Sequence, residues 1–235
     1  MIDFHSHILP GIDDGSPDLE TTQQLLHTLS EQGVTAVVAT PHFYPSRDLP
    51  EKFLKRRAMA LEQVSQLADN SPQIIPGAEV AYFSGISRST ILENLQLGSS
   101  GLLLVEMPLC PWTKGIVQDV CNLPCQTGLT PVLAHIDRYR HRKQLSQYKD
   151  ILLDNGVLFQ CNTEAFISKQ TRRWALKFLA SGYIHFLGTD THNLTTRPPN
   201  LQEAMKIITK KLGEDTLEGI NSFTEDMLKT QTGAV

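Results

Sequence analysis

Short apolar runs alternate with longer amphipathic stretches along most of the chain. The runs rich in β-branched and other apolar residues predict seven strands, at Ile2–Phe4, Val34–Thr40, Ile74–Glu79, Leu102–Glu106, Pro131–His135, Val157–Cys161 and Ile184–Gly188. The stretches that separate the later strands predict helices at Glu51–Leu67, Lys114–Cys125, Tyr148–Asp154, Gln170–Ala180 and Leu201–Leu212. Because such alternation is typical of repeated βα units, the pattern predicts an α/β fold close to a closed β/α barrel.

The helix between the first two strands has the clearest boundary signals. Ser16 is a candidate N-cap, Pro17 suits the first turn, and Gly33 can end the helix. At the other end of the chain, we expect a polar, frayed tail after Asp226. No internal repeat, low-complexity tract or linker interrupts the sequence, so we predict a single domain over residues 1–235.

Charge and composition exclude several classes of protein. The net charge of −4, from 21 Lys and Arg against 25 Asp and Glu, provides no global positive field to hold nucleic acid. No apolar run approaches the roughly 20 residues that span a bilayer, and the first residues do not resemble a signal peptide. We therefore expect a cytoplasmic protein with neither nucleic-acid binding nor membrane insertion. None of the four cysteines is followed six positions later by arginine, which excludes the cysteine mechanism of phosphoester cleavage.

Histidines and carboxylates follow the predicted strands at the ends where a β/α barrel gathers its chemistry. Five of the eight histidines occur there, together with three carboxylates: His5, His7, His42, His135, His192, Glu79, Glu106 and Asp190. Both His5-Ser6-His7 and Asp190-Thr191-His192 place two donors on one side of an extended segment, within reach of one ion. Only the sixth strand has no histidine or carboxylate within two positions of its end, where Asn162 stands, with Glu164 two residues further on. The set predicts a metal centre.

A further acid is expected from the loop after the first strand. Asp13 and Asp14 are adjacent there, and we choose Asp14, although spacing alone does not separate it from Asp13. Five imidazoles and about four carboxylates exceed the needs of one tetrahedral ion and suit two or three ions. This mixed nitrogen and oxygen set, without thiolate, fits Mn, Fe or Zn.

Two arginines follow the candidate ligands and suggest a phosphorylated substrate. Arg138 comes three residues after His135, and Arg197 follows His192 through a proline-stiffened loop. A planar guanidinium can hold two phosphate oxygens at once. The rest of the basic run at 138–143, which includes His141, is expected to be the solvated start of a helix, and His27 and His185 are expected to be structural.

These motifs resemble the polymerase-and-histidinol-phosphatase (PHP) superfamily. The opening DFHSHILPGIDDG, from Asp3 to Gly15, is similar to that of the bacterial manganese-dependent tyrosine-protein phosphatases of capsule and exopolysaccharide operons. The resemblance covers nearly the whole chain and continues through Thr40-Pro41-His42, Gly77-Ala78-Glu79, Glu106-Met107-Pro108, Ala134–Tyr139, Thr189–Asn193 and Arg197-Pro198-Pro199. Two positions depart from the family pattern, Thr189 in place of a serine and Asn221-Ser222 in place of Asn-Pro, and neither is a candidate ligand.

The resemblance implies a distorted (β/α)7 barrel with a trinuclear, most typically manganese, site. The matching ligands are His5, His7, Asp14, His42, Glu79, Glu106, His135, Asp190 and His192, and the matching phosphate-binding residues are Arg138 and Arg197. It also implies a partner, since the family's usual substrate is the tyrosine-rich tail of an autophosphorylating bacterial tyrosine kinase that controls polysaccharide export.

The expected reaction is hydrolysis of phosphotyrosine by direct attack of a metal-bound hydroxide. Arg138, Arg197, Asp190 and His192 are the expected catalytic residues, because the transferred group needs charge neutralisation and the phenolate needs stabilisation as it leaves. Three alternatives remain: a small-molecule phosphomonoesterase such as a histidinol-phosphate phosphatase, a nuclease, and a non-enzymatic binding module for phosphorylated tails.

Overall fold

The computed structural model describes residues 1–67, 71–140 and 143–229, and residue 143 by its backbone alone. It contains nine strands in these ranges, all paired in parallel: β1 (Ile2–Ser6), β2 (Ala36–Ala39), β3 (His42–Phe43), β4 (Gln73–Pro76), β5 (Glu79–Ala81), β6 (Leu102–Glu106), β7 (Thr130–Leu133), β8 (Leu158–Asn162) and β9 (Phe186–Gly188). Each of the seven predicted strands overlaps at least one of them.

Two strand positions are each divided into two pieces, and the second piece of one of them, β3, lies beyond the predicted strand Val34–Thr40. Between β2 and β3 the chain passes through Thr40-Pro41, and between β4 and β5 it passes through Gly77-Ala78. Pairing continues across the breaks, because β2 pairs with β4 and β3 pairs with β5. A proline cannot donate to a ladder, which accounts for the interruption at Pro41. Because of these two breaks, the barrel departs from a regular ring of continuous strands.

The strands form a ring. One sheet has the order β1-β2-β4 and the other β3-β5-β6-β7-β8-β9, so the split strands join the two sheets. The segment after β9 closes the ring against β1, where Asp190 N donates to His5 O at 2.8 Å and His7 N donates to Thr191 O at 2.9 Å. The predicted barrel of seven parallel strand positions is observed.

Nine α-helices surround the ring in the described part of the chain: α1 (Leu19–Glu31), α2 (Pro50–Ser65), α3 (Lys114–Cys121), α4 (Leu123–Thr127), α5 (Lys143–Asp154), α6 (Glu164–Ile167), α7 (Arg172–Ala180), α8 (Leu201–Leu212) and α9 (Glu214–Lys229). None of these helices combines the length and the apolar character needed to cross a membrane.

Several helix predictions need correction. The N-cap of α1 is Asp18, whose carboxylate accepts from Thr21 N at 2.8 Å, whereas Ser16 is buried and bonded to Thr22. The predicted helix Lys114–Cys125 is two helices, because Pro124 cannot continue the hydrogen-bond ladder of α3. Neither α6 nor α9 was predicted, and α9 carries helix beyond Asp226 to Lys229; the rest of the expected frayed tail lies outside the described residues.

Apolar residues fill the ring and cover its outside. Phe4, Val38, Leu104 and Phe186 belong to one buried cluster, in which the rings of Phe4 and Phe186 stack at 3.9 Å. Val37, next to Val38 in β2, belongs to a different cluster with residues of α1, because successive strand residues face opposite sides. The centre of the ring is therefore apolar below the strand ends, and polar side chains gather above it.

Candidate metal centre

The predicted ligands gather at the end of the ring where the strand positions finish. His42 and Glu79 begin the short second pieces β3 and β5, and Asp14 lies in the loop after β1. Two of the predicted ligands, His135 with φ 34° and Asp190 with φ 53°, have left-handed backbones, which are uncommon outside glycine. Such conformations persist where the surrounding structure holds them, and they concentrate at functional sites. The register of β1 against β2 also shifts between Asp3 and Ser6, which re-aims the side chains around His5.

Glu79 lies at the centre of the cluster and is buried. Its Oε2 atom is 3.2 Å from His5 Nε2, 3.3 Å from His7 Nε2 and 3.0 Å from His42 Nδ1. Its Oε1 atom is 2.6 Å from His135 Nε2. One carboxylate thus contacts four imidazoles from three strand positions, as expected of a group that bridges metal ions.

The structure separates the roles of the two adjacent acids. Asp14 Oδ1 lies 3.5 Å from His42 Nε2 and 3.6 Å from His192 Nε2, and its side chain is 67% exposed. Asp13 faces inward, where it accepts from His7 Nδ1 at 2.7 Å and from His42 N at 2.9 Å. The geometry therefore favours Asp14 as the ligand and gives Asp13 the task of orienting His7.

Two amides of β8 support the cluster, a role that was not predicted from the sequence. Gln160 Oε1 accepts from His135 N at 2.6 Å and lies 3.2 Å from His5 Nδ1. Gln160 Nε2 donates to Asn162 Oδ1, and Asn162 Nδ2 donates to Asp190 Oδ2 at 2.9 Å. Gln160 and Asn162 are two residues apart in β8, so both amides face the same side of the strand. This spacing is the sequence feature from which their shared position could have been predicted.

Arg138 and Arg197 converge on Asp190. Arg138 Nη2 donates to Asp190 Oδ2 at 2.5 Å, and Arg197 Nη2 forms an ion pair with the same oxygen at 2.5 Å. Each arginine side chain remains about a third exposed, at 35% and 34%. The other oxygen, Asp190 Oδ1, faces the imidazoles of His5 and His7 at 3.6 and 3.4 Å. One carboxylate therefore connects the imidazole cluster to the two arginines.

The electrostatics of the cluster follow from its burial and its mixture of charges. Burial favours the neutral form of His5, yet the carboxylates of Glu79 and Asp190 outweigh it and raise the pKa of His5 above its ordinary value. Burial likewise favours neutral Glu79, but His5 and His135 hold its pKa well below the ordinary value. For His192, burial and repulsion from His7 lower the pKa to about 4, so this imidazole is neutral at pH 7.

The donor atoms fit metal ions. Three overlapping groups have ligand atoms within 4.8 Å of one another: His7, Asp14, His42 and His192; His5, His7 and Asp190; and His42, Glu79 and Glu106. Within the described ranges, Asp190 Oδ1 and His192 Nε2 are buried and have no hydrogen-bond partner. Burying an unpartnered polar atom is costly, so these two atoms are placed to receive a ligand. His135 lies beside the groups, in contact with Glu79.

The remaining histidines lie away from the cluster wherever the structure describes them. His27 is exposed on α1 beside Glu31, and His185 Nδ1 accepts from Phe159 N at 3.1 Å. His141 lies outside the described residues. In the basic run, Ile136–Tyr139 is a 3-10 helix and Tyr139 is buried with its hydroxyl donating to Met107 O, so this part is not solvated as expected.

A parallel β/α barrel that carries buried imidazoles and carboxylates at its strand ends is the architecture of a metal-dependent hydrolase. The chain matches the family described as "Capsular polysaccharide synthesis, CpsB/CapC" over residues 1–228. It therefore belongs to the CpsB/CapC family, and the relationship expected from the sequence motifs is confirmed.

Curated relatives and a solved structure agree with this assignment. Tyrosine-protein phosphatase CpsB of Streptococcus pneumoniae is 32% identical over 229 residues, which cover 91% of each chain. Tyrosine-protein phosphatase YwqE of Bacillus subtilis is 26% identical over 237 residues, covering 99% of this chain and 93% of its own. A crystal structure from work on YwqE and CpsB, described as unique metal-dependent tyrosine phosphatases, superposes with a TM-score of 0.86 at 25% identity, covering 99% of this chain and 96% of its own. The fold prediction is confirmed.

Proposed function

We propose that this protein is a metal-dependent protein-tyrosine phosphatase whose substrate is a tyrosine-phosphorylated bacterial kinase of capsule or exopolysaccharide synthesis. The observation that carries the proposal is the double role of Asp190, which faces the imidazole cluster with one oxygen and two arginines with the other. Such a site binds a phosphoryl group where metal ions and guanidinium groups can neutralise it from two sides. The names of the relatives point to phosphotyrosine as the substrate.

The nine residues predicted as ligands are proposed to hold two or three ions, with Mn2+ as the first candidate and Fe or Zn as alternatives. Their oxygen and imidazole donors suit these metals. Metal ions bound there would supply Lewis acidity and a nucleophile for hydrolysis near neutral pH.

The protein's own residues are proposed to orient the phosphoryl group and balance its charge. Arg138 and Arg197 are fixed by Asp190, and their partly exposed guanidinium groups can donate to phosphoryl oxygens. Asp13 and the backbone carbonyl of Asp190 hold His7 and His192 with the Nε2 atoms free for ligation, since each accepts from an Nδ1 atom. Because tyrosine has a reference pKa near 10, its phenolate is a better leaving group than a serine alkoxide.

A cytoplasmic location accompanies this proposal, because the kinase substrate is phosphorylated with cytoplasmic ATP.

The test is hydrolysis of a phosphotyrosine peptide by metal-stripped protein with and without added Mn2+. We expect activity only with metal, and a loss of at least about 100-fold in kcat/KM for both His42→Ala and Arg138→Ala. His27→Ala is the matched control, because this exposed histidine lies on α1 and contacts Glu31. Histidinol phosphate is assayed in parallel. If metal-loaded protein cleaves histidinol phosphate but not the peptide, the protein is a small-molecule phosphomonoesterase and the proposal is wrong. If the protein binds the peptide without cleaving it, the protein is a binding module.

A further inference from the structure

A cleft borders the candidate metal centre on the side of Asp14 and His42. It has a volume of about 460 Å³ and is lined by these two residues with Ile12 and Asp13 and, beyond them, by Tyr44, Arg47, Asp48 and Arg56. The cleft is continuous with the cluster, because His42 and Asp14 belong to both. A peptide whose phosphotyrosine reached the cluster would have room here for its neighbouring residues.

In this cleft, the guanidinium group of Arg47 packs on the aromatic ring of Tyr44. The Tyr44 ring lies against the imidazole of His42, with centroids 5.1 Å apart, and the Arg47 guanidinium lies over the same ring at 5.3 Å. Backbone bonds hold the turn, since Arg47 N and Asp48 N both donate to Tyr44 O at 2.8 Å. The cation–π contact keeps the charge of Arg47 above the ring without neutralising it.

The two arginines of the cleft differ in their partners. Arg56 donates to Asp48 Oδ1 at 2.7 Å, so its charge is matched. The described residues place no carboxylate within 4.0 Å of the Arg47 nitrogens, and Arg47 is exposed. The outer part of the cleft therefore has one unmatched positive charge.

From this geometry we propose that Tyr44 and Arg47 form a substrate subsite in which Arg47 binds an acidic residue next to the phosphotyrosine. The inference rests on the proposed phosphatase function and extends it from the phosphorylated residue to its sequence context. Complementary charge is the reason for committing to an acidic neighbour: an unmatched guanidinium attracts a carboxylate and repels lysine or arginine. Arg47 acts here on specificity and has no part in the chemical step.

The experiment compares three phosphotyrosine peptides that differ only in the two residues on each side of the phosphotyrosine, all Asp, all Asn or all Lys. With Mn2+-loaded wild-type protein, we expect kcat/KM to fall in that order, with roughly a fivefold step between Asp and Asn, as for an exposed ion pair. Arg47→Glu should reverse the order, and Arg47→Gln should remove it. The readout is the ratio between peptides, so a general loss of activity in a variant cancels.

Arg88→Glu is the matched control for charge reversal. Arg88 is also exposed, but it lies in a separate cavity with Gly101 and Leu129, which precede β6 and β7 at the opposite end of the barrel. We expect its peptide preference to equal that of the wild type. The proposed subsite would be wrong if Arg47→Glu kept the wild-type preference for the Asp peptide over the Lys peptide. It would also be wrong if the wild type cleaved all three peptides with the same kcat/KM. Wild-type protein that cleaves no phosphotyrosine peptide would overturn the proposed function, and the subsite with it.

Discussion

At the residue scale, Asp13 and Asp14 in the loop after β1 have different roles, although they are adjacent in the sequence. Asp13 points inward to His7 and Asp14 points to His42 and His192. An acid that orients an imidazole affects metal affinity through that imidazole, whereas a ligand contributes a donor atom directly. The two positions should therefore respond differently to substitution.

We expect Asp13→Asn to lower the affinity for Mn2+ by roughly 10-fold to 100-fold, with activity recovering at higher metal concentration. Asp14→Ala should leave a loss of activity that added metal does not restore, because a donor is missing. Activity measured against Mn2+ concentration, together with the metal content of each variant, distinguishes the two. The opposite pattern would make Asp13 the ligand.

At the scale of elements, close approach between strands at the site depends on glycine. A Cβ at Gly188 in β9 would lie 2.5 Å from His5 Cβ and 2.8 Å from His5 N. Backbone atoms cannot yield as a flexible side chain does, so the strand would have to move away from β1 and shift His5. The small residue is thus what allows the last strand position to close onto the first.

Gly188→Ala is expected to lower the free energy of unfolding by about 1–3 kcal/mol, as for other overpacked sites. Gly219→Ala is the matched control: it lies in α9 with open space around it and should raise stability by up to about 1 kcal/mol. Urea denaturation of the metal-stripped proteins measures both. Equal stabilities of Gly188→Ala and wild type would show that β9 adjusts freely.

The start of α1 provides a second prediction at this scale. Because the Asp18 carboxylate caps the helix through Thr21 N, Asp18→Ala should cost about 1 kcal/mol of stability, and Asp18→Asn should retain most of it. The midpoint of urea unfolding is the measurement. A loss in Asp18→Asn as large as that in Asp18→Ala would mean that the cap contributes little.

At the scale of the whole molecule, the candidate metal ligands come from six of the seven strand positions of the ring. The candidate ligands follow β1, the second to fifth strand positions and β9, and α9 returns to β1, where Ile2 N donates to Asn221 Oδ1 at 3.1 Å. On this basis we propose that residues 1–235 form one phosphatase domain. Ions bound by residues from so many strand positions would stabilise the folded state as a unit.

We therefore expect chelation to lower the melting temperature and Mn2+ to restore it. A metal held at 100 times its dissociation constant adds about 2.7 kcal/mol, which corresponds to several degrees for a chain of this size. Differential scanning calorimetry of chelated and reloaded protein measures the shift. His42→Ala should reduce it and His27→Ala should not; a melting temperature indifferent to metal in the wild type would contradict a bound centre.

The sequence by itself determined the barrel and most of the site. Apolar runs of strand length, spaced by helical stretches, placed all seven strand positions, and imidazoles and carboxylates after those strands identified the cluster, because parallel strands bring their carboxyl ends together. Three features of the site were decided only by the tertiary structure, because they depend on contacts between residues distant in the sequence. The choice of Asp14 over Asp13, the support from Gln160 and Asn162, and the convergence of Arg138 and Arg197 on one oxygen of Asp190 all depend on side-chain directions across the ring. Local patterns carry the periodicity of strands and helices, but a side chain's partner across the ring is fixed only when the ring closes.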